Sequence, residues 1–151
     1  MNNISYKDII EEKGMYVATP IGKSMWPMLR NRVDTVKLVK PITLKKYDVI
    51  LYLRKNGQYV LHRIIKVRKN DFILSGDNQW QKEPGITQDM IIGVVDGFYR
   101  NEKYIKNNNF LYKMYYHFWT RIKFIKKFIF ILKRLIKKIF RPKGKQGSSD
   151  E

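Results

Sequence analysis

The chain has 151 residues, of which 44% are hydrophobic and 14% aromatic, so we expect one folded domain and exclude a disordered chain. It contains no cysteine and only two histidines, which excludes a disulfide framework and argues against a thiolate or histidine-rich metal site. A formal net charge of +18 indicates an anionic partner.

The positive charge is unevenly distributed along the chain. Residues 1–100 contain 17 Lys and Arg against 10 Asp and Glu, a net charge of +7. Residues 101–151 contain 14 against 3, a net charge of +11. The last third of the chain is therefore the part expected to meet a membrane surface, a nucleic acid or an acidic peptide.

Residues 1–14 are predicted to form a short helix or an arm, because isoleucines recur there among polar residues. The N-terminus has no apolar run of signal-peptide length, which favours a protein that stays in the cytosol. The segment is also too short for a helix-turn-helix module, which disfavours a repressor.

The pattern of residues 15–100 is that of an all-β domain. Short apolar or alternating segments are separated by turns, and Asn56-Gly57 is typical of a hairpin turn. Strands of this kind favour a mainly β fold, either a coiled antiparallel sheet or a small barrel. We predict strands over residues 16–19, 35–39, 48–53, 58–67, 71–74 and 90–95.

A serine lies in an irregular turn after the first of these strands. Gly22 permits a backbone conformation with positive φ, and Pro27 ends hydrogen-bonded pairing. Ser24, between them, is therefore held in a stiff turn of the kind in which backbone N–H groups receive an oxyanion. The alternative is an ordinary surface turn that buries its methionines and its tryptophan.

One histidine and one aspartate complete a candidate catalytic group. With the period of a strand, His62 shares a face with Val60 and Ile64, where it is either a core residue or a base. Asp77 lies in the loop after the next strand, where it either forms the turn or orients the imidazole. A serine needs a base within hydrogen-bond reach, and a carboxylate fixes the tautomer of a histidine base. Ser24, His62 and Asp77 are therefore candidates for nucleophile, base and orienter.

Several segments, in this order, resemble the sequence boxes of type I signal peptidases. Residues 22–27 are similar to their Ser-Met-x-Pro box, and residues 47–50 and 61–67 to their second and third boxes. The position that holds a lysine base in the bacterial enzymes is His62 here, as in the endoplasmic-reticulum type. Residues 75–79 are similar to the Gly-Asp-Asn box of that type, and the last predicted strand resembles their closing strand.

The resemblance implies a coiled, mostly antiparallel β fold that is shared with the self-cleaving domain of SOS repressors. It implies a serine endopeptidase without metal or organic cofactor, in which Ser24 is the nucleophile, His62 the base and Asp77 the orienter. Gly22 and Met25 would belong to the turn that forms the oxyanion site. The substrate would be a peptide or protein precursor, cut after small residues, from which a leader or signal segment is removed.

Three features depart from the signal-peptidase pattern. No membrane-spanning segment precedes the serine box in this sequence. Gly22 occupies a position that often carries a hydroxyl group in the family, so we expect backbone N–H groups to serve the oxyanion. Tyr47 occupies a position where the family usually has glycine.

Residues 101–142 are predicted to form a basic amphipathic helical tail. Apolar side chains recur at steps of four and three from Leu111 to Ile139, which places one stripe on a helix. The longest uncharged run, between Lys113 and Arg121, is far shorter than the ~20 apolar residues that a spanning helix needs. We expect the helix to be removable without loss of the β domain.

A basic amphipathic helix with aromatic residues favours binding at an anionic membrane, here on its cytoplasmic face. Packing on the β domain, a coiled coil and RNA binding are the alternatives. Residues 143–151 are expected to form a disordered end. The residues expected to contact membrane or substrate are Trp26, Phe118, Trp119, Ile122, Ile125, Ile129 and Leu132.

The interpretation that these patterns favour is a membrane-associated serine endopeptidase of the signal-peptidase type. One alternative is a non-catalytic β module that binds peptides and is tethered to the membrane by the tail. The other is a nucleic-acid-binding protein, although nucleic acid is the partner that we favour least. The sequence does not fix the oligomeric state.

Overall fold

The computed structural model describes residues 5–139, which form eight β-strands and two α-helices. A 3-10 turn, Gln88–Met90, leads into β7. The strands are β1 (Met15–Ala18), β2 (Thr35–Val39), β3 (Val49–Leu53), β4 (Tyr59–Val67), β5 (Phe72–Ser75), β6 (Glu83–Ile86), β7 (Ile91–Arg100) and β8 (Lys103–Lys106), and the helices are α1 (Tyr6–Lys13) and α2 (Phe110–Ile139).

Helix α1 is fixed at both ends by local interactions. The Ser5 hydroxyl accepts a hydrogen bond from the Asp8 amide, and the Asp8 carboxylate accepts one from the Ser5 amide. This exchange satisfies two N–H groups at the helix start. Gly14 ends the helix in the left-handed conformation. Ile10, only 1% exposed, anchors the helix in the core.

The strands form one antiparallel sheet in the order β1-β2-β7-β3-β4-β5-β6, with β8 paired to the far end of β7. The mainly β class predicted from the sequence is confirmed. The sheet is not closed, because β1 and β6 form its two edges, so the alternative of a small barrel is wrong. Register shifts between β2 and β7, β3 and β7, and β4 and β5 increase the local twist.

Two apolar clusters form the core, and β4 contributes to both. One cluster contains Leu61 together with residues from both helices. The other contains Ile64 and, from the neighbouring strand, Tyr52. Successive side chains of a strand point to opposite faces. Arg63 is accordingly directed at the first cluster and His62 at the second.

Helix α2 divides into a docked half and an exposed half. Tyr112 is 7% exposed and belongs to the core, and Tyr115 and Tyr116 pack beside it. The expectation that α2 can be removed without loss of the β domain stays a prediction, while Tyr112 places the first half of the helix against the core. Described side chains farther along are exposed, namely Ile125, Phe128, Ile131, Leu132 and Ile136.

The predicted tail also begins later than the sequence suggests. Residues 103–106, which the prediction placed in the tail, form β8 and extend the sheet. The side chain of Ile129 lies outside the described part of the chain, as do residues 140–151 with the predicted disordered end. Over residues 5–139, neither helix combines the length and the apolar content that crossing a membrane requires.

Candidate active site

The turn that carries Ser24 is irregular, and buried apolar side chains anchor it to the core. Gly22 has a φ of +115°, and its N–H donates to Oδ1 of Asn31 at 2.7 Å. Met25 is 2% exposed and Leu29 is 2% exposed, and the Leu29 amide donates to the Met25 carbonyl. Ser24 itself is only half-buried. The turn is therefore fixed while its hydroxyl is accessible.

Two backbone amides beside the serine are available to a ligand. Among the residues that the structure describes, none accepts a hydrogen bond from the amide of Ser24 or of Met25. Adjacent N–H groups of this kind can receive the negative oxygen of a tetrahedral intermediate. The Gly22 amide is already bonded to Asn31, so Gly22 shapes the turn and does not donate to the oxyanion.

A second loop supports the serine turn from the side. The Asn78 amide donates to the Ser24 carbonyl at 2.7 Å. A Cβ atom on Gly76 would lie 2.7 Å from that carbonyl oxygen and 3.1 Å from Cβ of Ser24, so any larger residue would displace the turn. The single proton of the Ser75 hydroxyl is shared between the Gly76 and Gln79 carbonyls. The loop thus fixes the backbone position of the candidate nucleophile.

His62 lies in the middle of β4 and is 3% exposed. Its Nδ1 is 3.2 Å from the hydroxyl oxygen of Tyr52 and 3.6 Å from Oε2 of Glu83. The Tyr52 hydroxyl donates to the same Glu83 oxygen at 2.6 Å. Arg54 donates to both Glu83 oxygens, at 2.7 and 2.6 Å. The imidazole is therefore linked to a hydroxyl, then to a carboxylate and then to a guanidinium by successive hydrogen bonds.

The charges of this group are defined at neutral pH. The hydrogen bonds from Arg54 hold the pKa of Glu83 below its usual value. Burial, and then the hydrogen bond to Glu83, raise the pKa of Tyr52. Glu83 is therefore a carboxylate and Tyr52 keeps its proton.

Asp77 is not placed beside Nδ1 of His62, which corrects its assignment as the orienter. Both of its oxygens accept hydrogen bonds from Arg63, at 2.8 and 2.6 Å. Because Arg63 follows His62 on the strand, its side chain points to the opposite face. Burial opposes the charge of Arg63, but the charge and hydrogen bonds of Asp77, together with those of Tyr112, outweigh it and raise the pKa of the guanidinium. A buried guanidinium needs such a partner.

Ser24 and His62 line the same open cleft, whose volume is about 520 Å³. Gly22 and Met25 contribute to its wall. Residues 58–61, which include the first residues of β4, also line it. Strand β5 pairs with β4 only from Arg63 onward. The edge of β4 that faces the cleft is thus not covered by β5, which leaves room for an extended peptide.

Helix α2 reaches this site through Trp119. Its ring N–H donates to the Asp77 carbonyl at 2.8 Å, and its ring meets that of Trp26 edge-on at 6.4 Å. Trp26 is half exposed and Phe118 is 68% exposed. Of the other predicted contact residues, Ile122 is half-buried, and Ile125 and Leu132 lie in the exposed half of the helix.

Tyr47, which departs from the family pattern, adopts a φ of +80°. That conformation favours glycine and is strained for other residues. The tyrosine ring packs 5.0 Å from Tyr116 and 4.7 Å from His117, while the Tyr47 carbonyl accepts a hydrogen bond from Arg63. The side chain therefore gains contacts with α2 that glycine cannot make.

The sequence did not indicate Tyr52, Arg54 or Glu83 as site residues. Tyr52 is the one hydroxyl-bearing residue in an otherwise aliphatic strand, which is a weak signal that its oxygen needs a partner. Glu83 begins a strand containing proline and glycine, which no periodicity predicts. Within the described residues, no group of three or more His, Asp or Glu is arranged to hold a metal ion.

Comparison of the chain with protein-family models, curated proteins and solved structures found no match.

Proposed function

We propose that the protein is a membrane-associated serine endopeptidase of the signal-peptidase type, which removes a leader or signal segment from a peptide or protein precursor. The observation that carries the proposal is that Ser24 and His62 line one open cleft. The resemblance to signal-peptidase boxes and the antiparallel β-sheet both support a fold of the signal-peptidase type.

In the proposed reaction, the Ser24 hydroxyl attacks the scissile carbonyl while Nε2 of His62 takes its proton. The carbonyl oxygen becomes negative and is received by the amides of Ser24 and Met25. The tetrahedral intermediate collapses when His62 gives the proton to the leaving amine. Water then hydrolyses the acyl-enzyme with His62 again acting as base, and no metal or organic cofactor takes part.

The substrate is proposed to bind as an extended strand along the cleft edge of β4. Its backbone groups would pair with residues 59–62, which β5 leaves uncovered. Main-chain pairing tolerates different side chains, so the walls of the cleft would set the preference around the cut. The signal-peptidase resemblance favours small residues on the acyl side.

The membrane part of the proposal rests on α2. Its sequence carries nine Lys and Arg and no Asp or Glu, and its outer half exposes apolar residues such as Ile125 and Leu132. Positive charge beside an apolar surface favours an anionic bilayer, with about 1 kcal/mol for each basic residue near the surface. We place the protein peripherally on the cytoplasmic face.

A fluorophosphonate probe tests the catalytic assignment without knowledge of the substrate. The probe should acylate the full-length protein at Ser24, as located by peptide mass spectrometry. Ser24→Ala should abolish labelling, and His62→Ala should slow it at least a hundredfold, because general bases contribute about 10²–10⁴-fold. Ser5→Ala, at a half-buried serine outside the cleft, is the matched control and should label normally.

An absence of Ser24 labelling in folded protein would leave the non-catalytic peptide-binding module as the better function. Salt-dependent retention on RNA or DNA, with no binding to anionic vesicles, would instead favour a nucleic-acid-binding protein. If labelling succeeds, co-expression with candidate precursors and mass spectrometry would identify the cut.

A further inference from the structure

We propose that Tyr52 and Glu83 together position His62 and fix its tautomer, the role that sequence reasoning gives to Asp77. The proposal rests on the proposed serine-peptidase function, since it describes how the base of that reaction is prepared. Hydrogen bonds behind the imidazole carry this inference.

The direction of these hydrogen bonds follows from counting protons. The Tyr52 hydroxyl has a single proton, which it donates to Oε2 of Glu83 at 2.6 Å. Its oxygen can therefore only accept from His62 Nδ1, 3.2 Å away. A neutral His62 must then carry its proton on Nδ1. Nε2 is left without a proton, which is the state that a base for Ser24 requires.

The same arrangement stabilises the charged form of the base. When the Ser24 proton moves to Nε2, the imidazole becomes a cation that faces Oε2 of Glu83 at 3.6 Å. An opposite charge at this distance favours the protonated ring. Arg54 holds the carboxylate by two hydrogen bonds, so Glu83 keeps its position and part of its charge is balanced. Tyr52 and Glu83 keep their own protonation states throughout.

Three elements place charged or hydroxyl groups beside the imidazole of His62. Tyr52 comes from β3, Arg54 from the turn after it, and Glu83 from β6. Arg63, the next residue of β4, is directed at the opposite face and is paired with Asp77. Tyr52 and Glu83 are positioning residues, because they act on the substrate only through the imidazole.

The chain offers a direct spectroscopic test, because it contains only two histidines. In a His117→Gln protein, every imidazole signal in a ¹H–¹⁵N spectrum comes from His62. We expect the neutral ring to be protonated at Nδ1. If it is protonated at Nε2, the proposal is overturned, whatever the activity of the variants.

Two substitutions in that background measure the two contributions. Glu83→Gln keeps an acceptor for Tyr52 but removes the negative charge beside the imidazole, so the pH midpoint of Ser24 labelling should move to lower pH. Tyr52→Phe removes the acceptor for Nδ1–H, so labelling should slow by about tenfold or more even above the midpoint. Circular dichroism checks that each variant is folded.

The controls separate this inference from a general structural effect. Glu12→Gln, on the exposed side of α1, should change neither the midpoint nor the rate. Glu83→Asp, which keeps the charge, should restore part of the shift lost in Glu83→Gln. If Glu83→Gln leaves the midpoint unchanged while Ser24 still labels, the positioning role fails and the proposed function stands. If Ser24 never labels, the proposed function fails, and the spectrum still decides the tautomer.

Discussion

His62 and Arg63 are adjacent on β4, yet they lie at two different ion pairs. Arg63 is itself paired with Asp77, whereas His62 lies beside the pair of Arg54 and Glu83. Arg63 is fully buried, and its partner Asp77 is 1% exposed. On the other face, Arg54 and Glu83 are 33% and 27% exposed, beside the imidazole. The first pair is covered by α2, where Tyr112 contacts the guanidinium. The second lies near the cleft, and Arg54 forms part of the cleft wall.

The difference separates two tasks that a serine and histidine site must perform. The buried pair ties the loop at residues 76–78 to β4, and that loop touches the Ser24 backbone. This pair therefore supports the proposed nucleophile. The part-exposed pair adjoins the ring of His62 and so acts on the proposed base. A buried pair is costly to break, whereas an exposed pair contributes little to stability.

The largest expected effect comes from breaking the buried pair. Asp77→Asn leaves the charge of Arg63 without its partner, which should lower the free energy of unfolding by about 3–5 kcal/mol. Glu83→Gln is the matched change on the other face and should cost about 1 kcal/mol. Urea unfolding of both proteins measures the difference. If both substitutions lower the free energy of unfolding equally, the buried pair does not contribute more to stability than the part-exposed pair, and our distinction between them is wrong.

The next effect distinguishes the two halves of α2. Tyr112→Ala removes a core ring that covers Arg63 and should lower the free energy of unfolding by about 3 kcal/mol. Ile125→Ser combined with Leu132→Ser changes two exposed side chains and should cost less than about 0.5 kcal/mol each. Denaturant unfolding compares the two proteins.

The same double change should release the protein from anionic vesicles in a flotation assay, since it removes apolar area from the half of α2 that we propose contacts the membrane. Under conditions where the Tyr112→Ala protein stays folded, we expect it to remain bound to the vesicles. If the double change unfolds the domain instead, the outer half packs inward and the membrane proposal fails. If the double variant still floats, the membrane contact lies elsewhere, with Trp26 the next residue to change.

The regular part of the fold was accessible from the sequence. The alternation and the turn signals locate β3, β4 and β5 to within one residue at each end. Strand β6 was missed because Pro84 and Gly85 disfavour strands, and its pairing is possible only at the edge of the sheet. Packing of α2 on the β domain was only an alternative in the sequence analysis, because the apolar stripe does not show which of its side chains meet the core and which meet another surface.

The candidate site was predictable only as far as local patterns reach. Ser24 and His62 were indicated by their own surroundings, and the structure brings them to one cleft. The choice between Asp77 and Glu83 depends on which face of β4 each loop reaches, which is a tertiary property. One signal was present, because Arg63 follows His62 and a buried arginine requires a carboxylate. Asp77 is that carboxylate.

The smallest expected effect concerns the link between α2 and the serine. Trp119→Phe keeps an aromatic ring but removes the hydrogen bond to the Asp77 carbonyl, which should cost about 1 kcal/mol. Because that carbonyl belongs to the loop against Ser24, fluorophosphonate labelling should slow a few-fold, while the pH midpoint set by His62 should not move. Phe118→Leu, at the exposed neighbouring position, should change neither quantity. A shifted midpoint in Trp119→Phe would show that the two faces of β4 are coupled, and the separation of nucleophile support from base support would have to be abandoned.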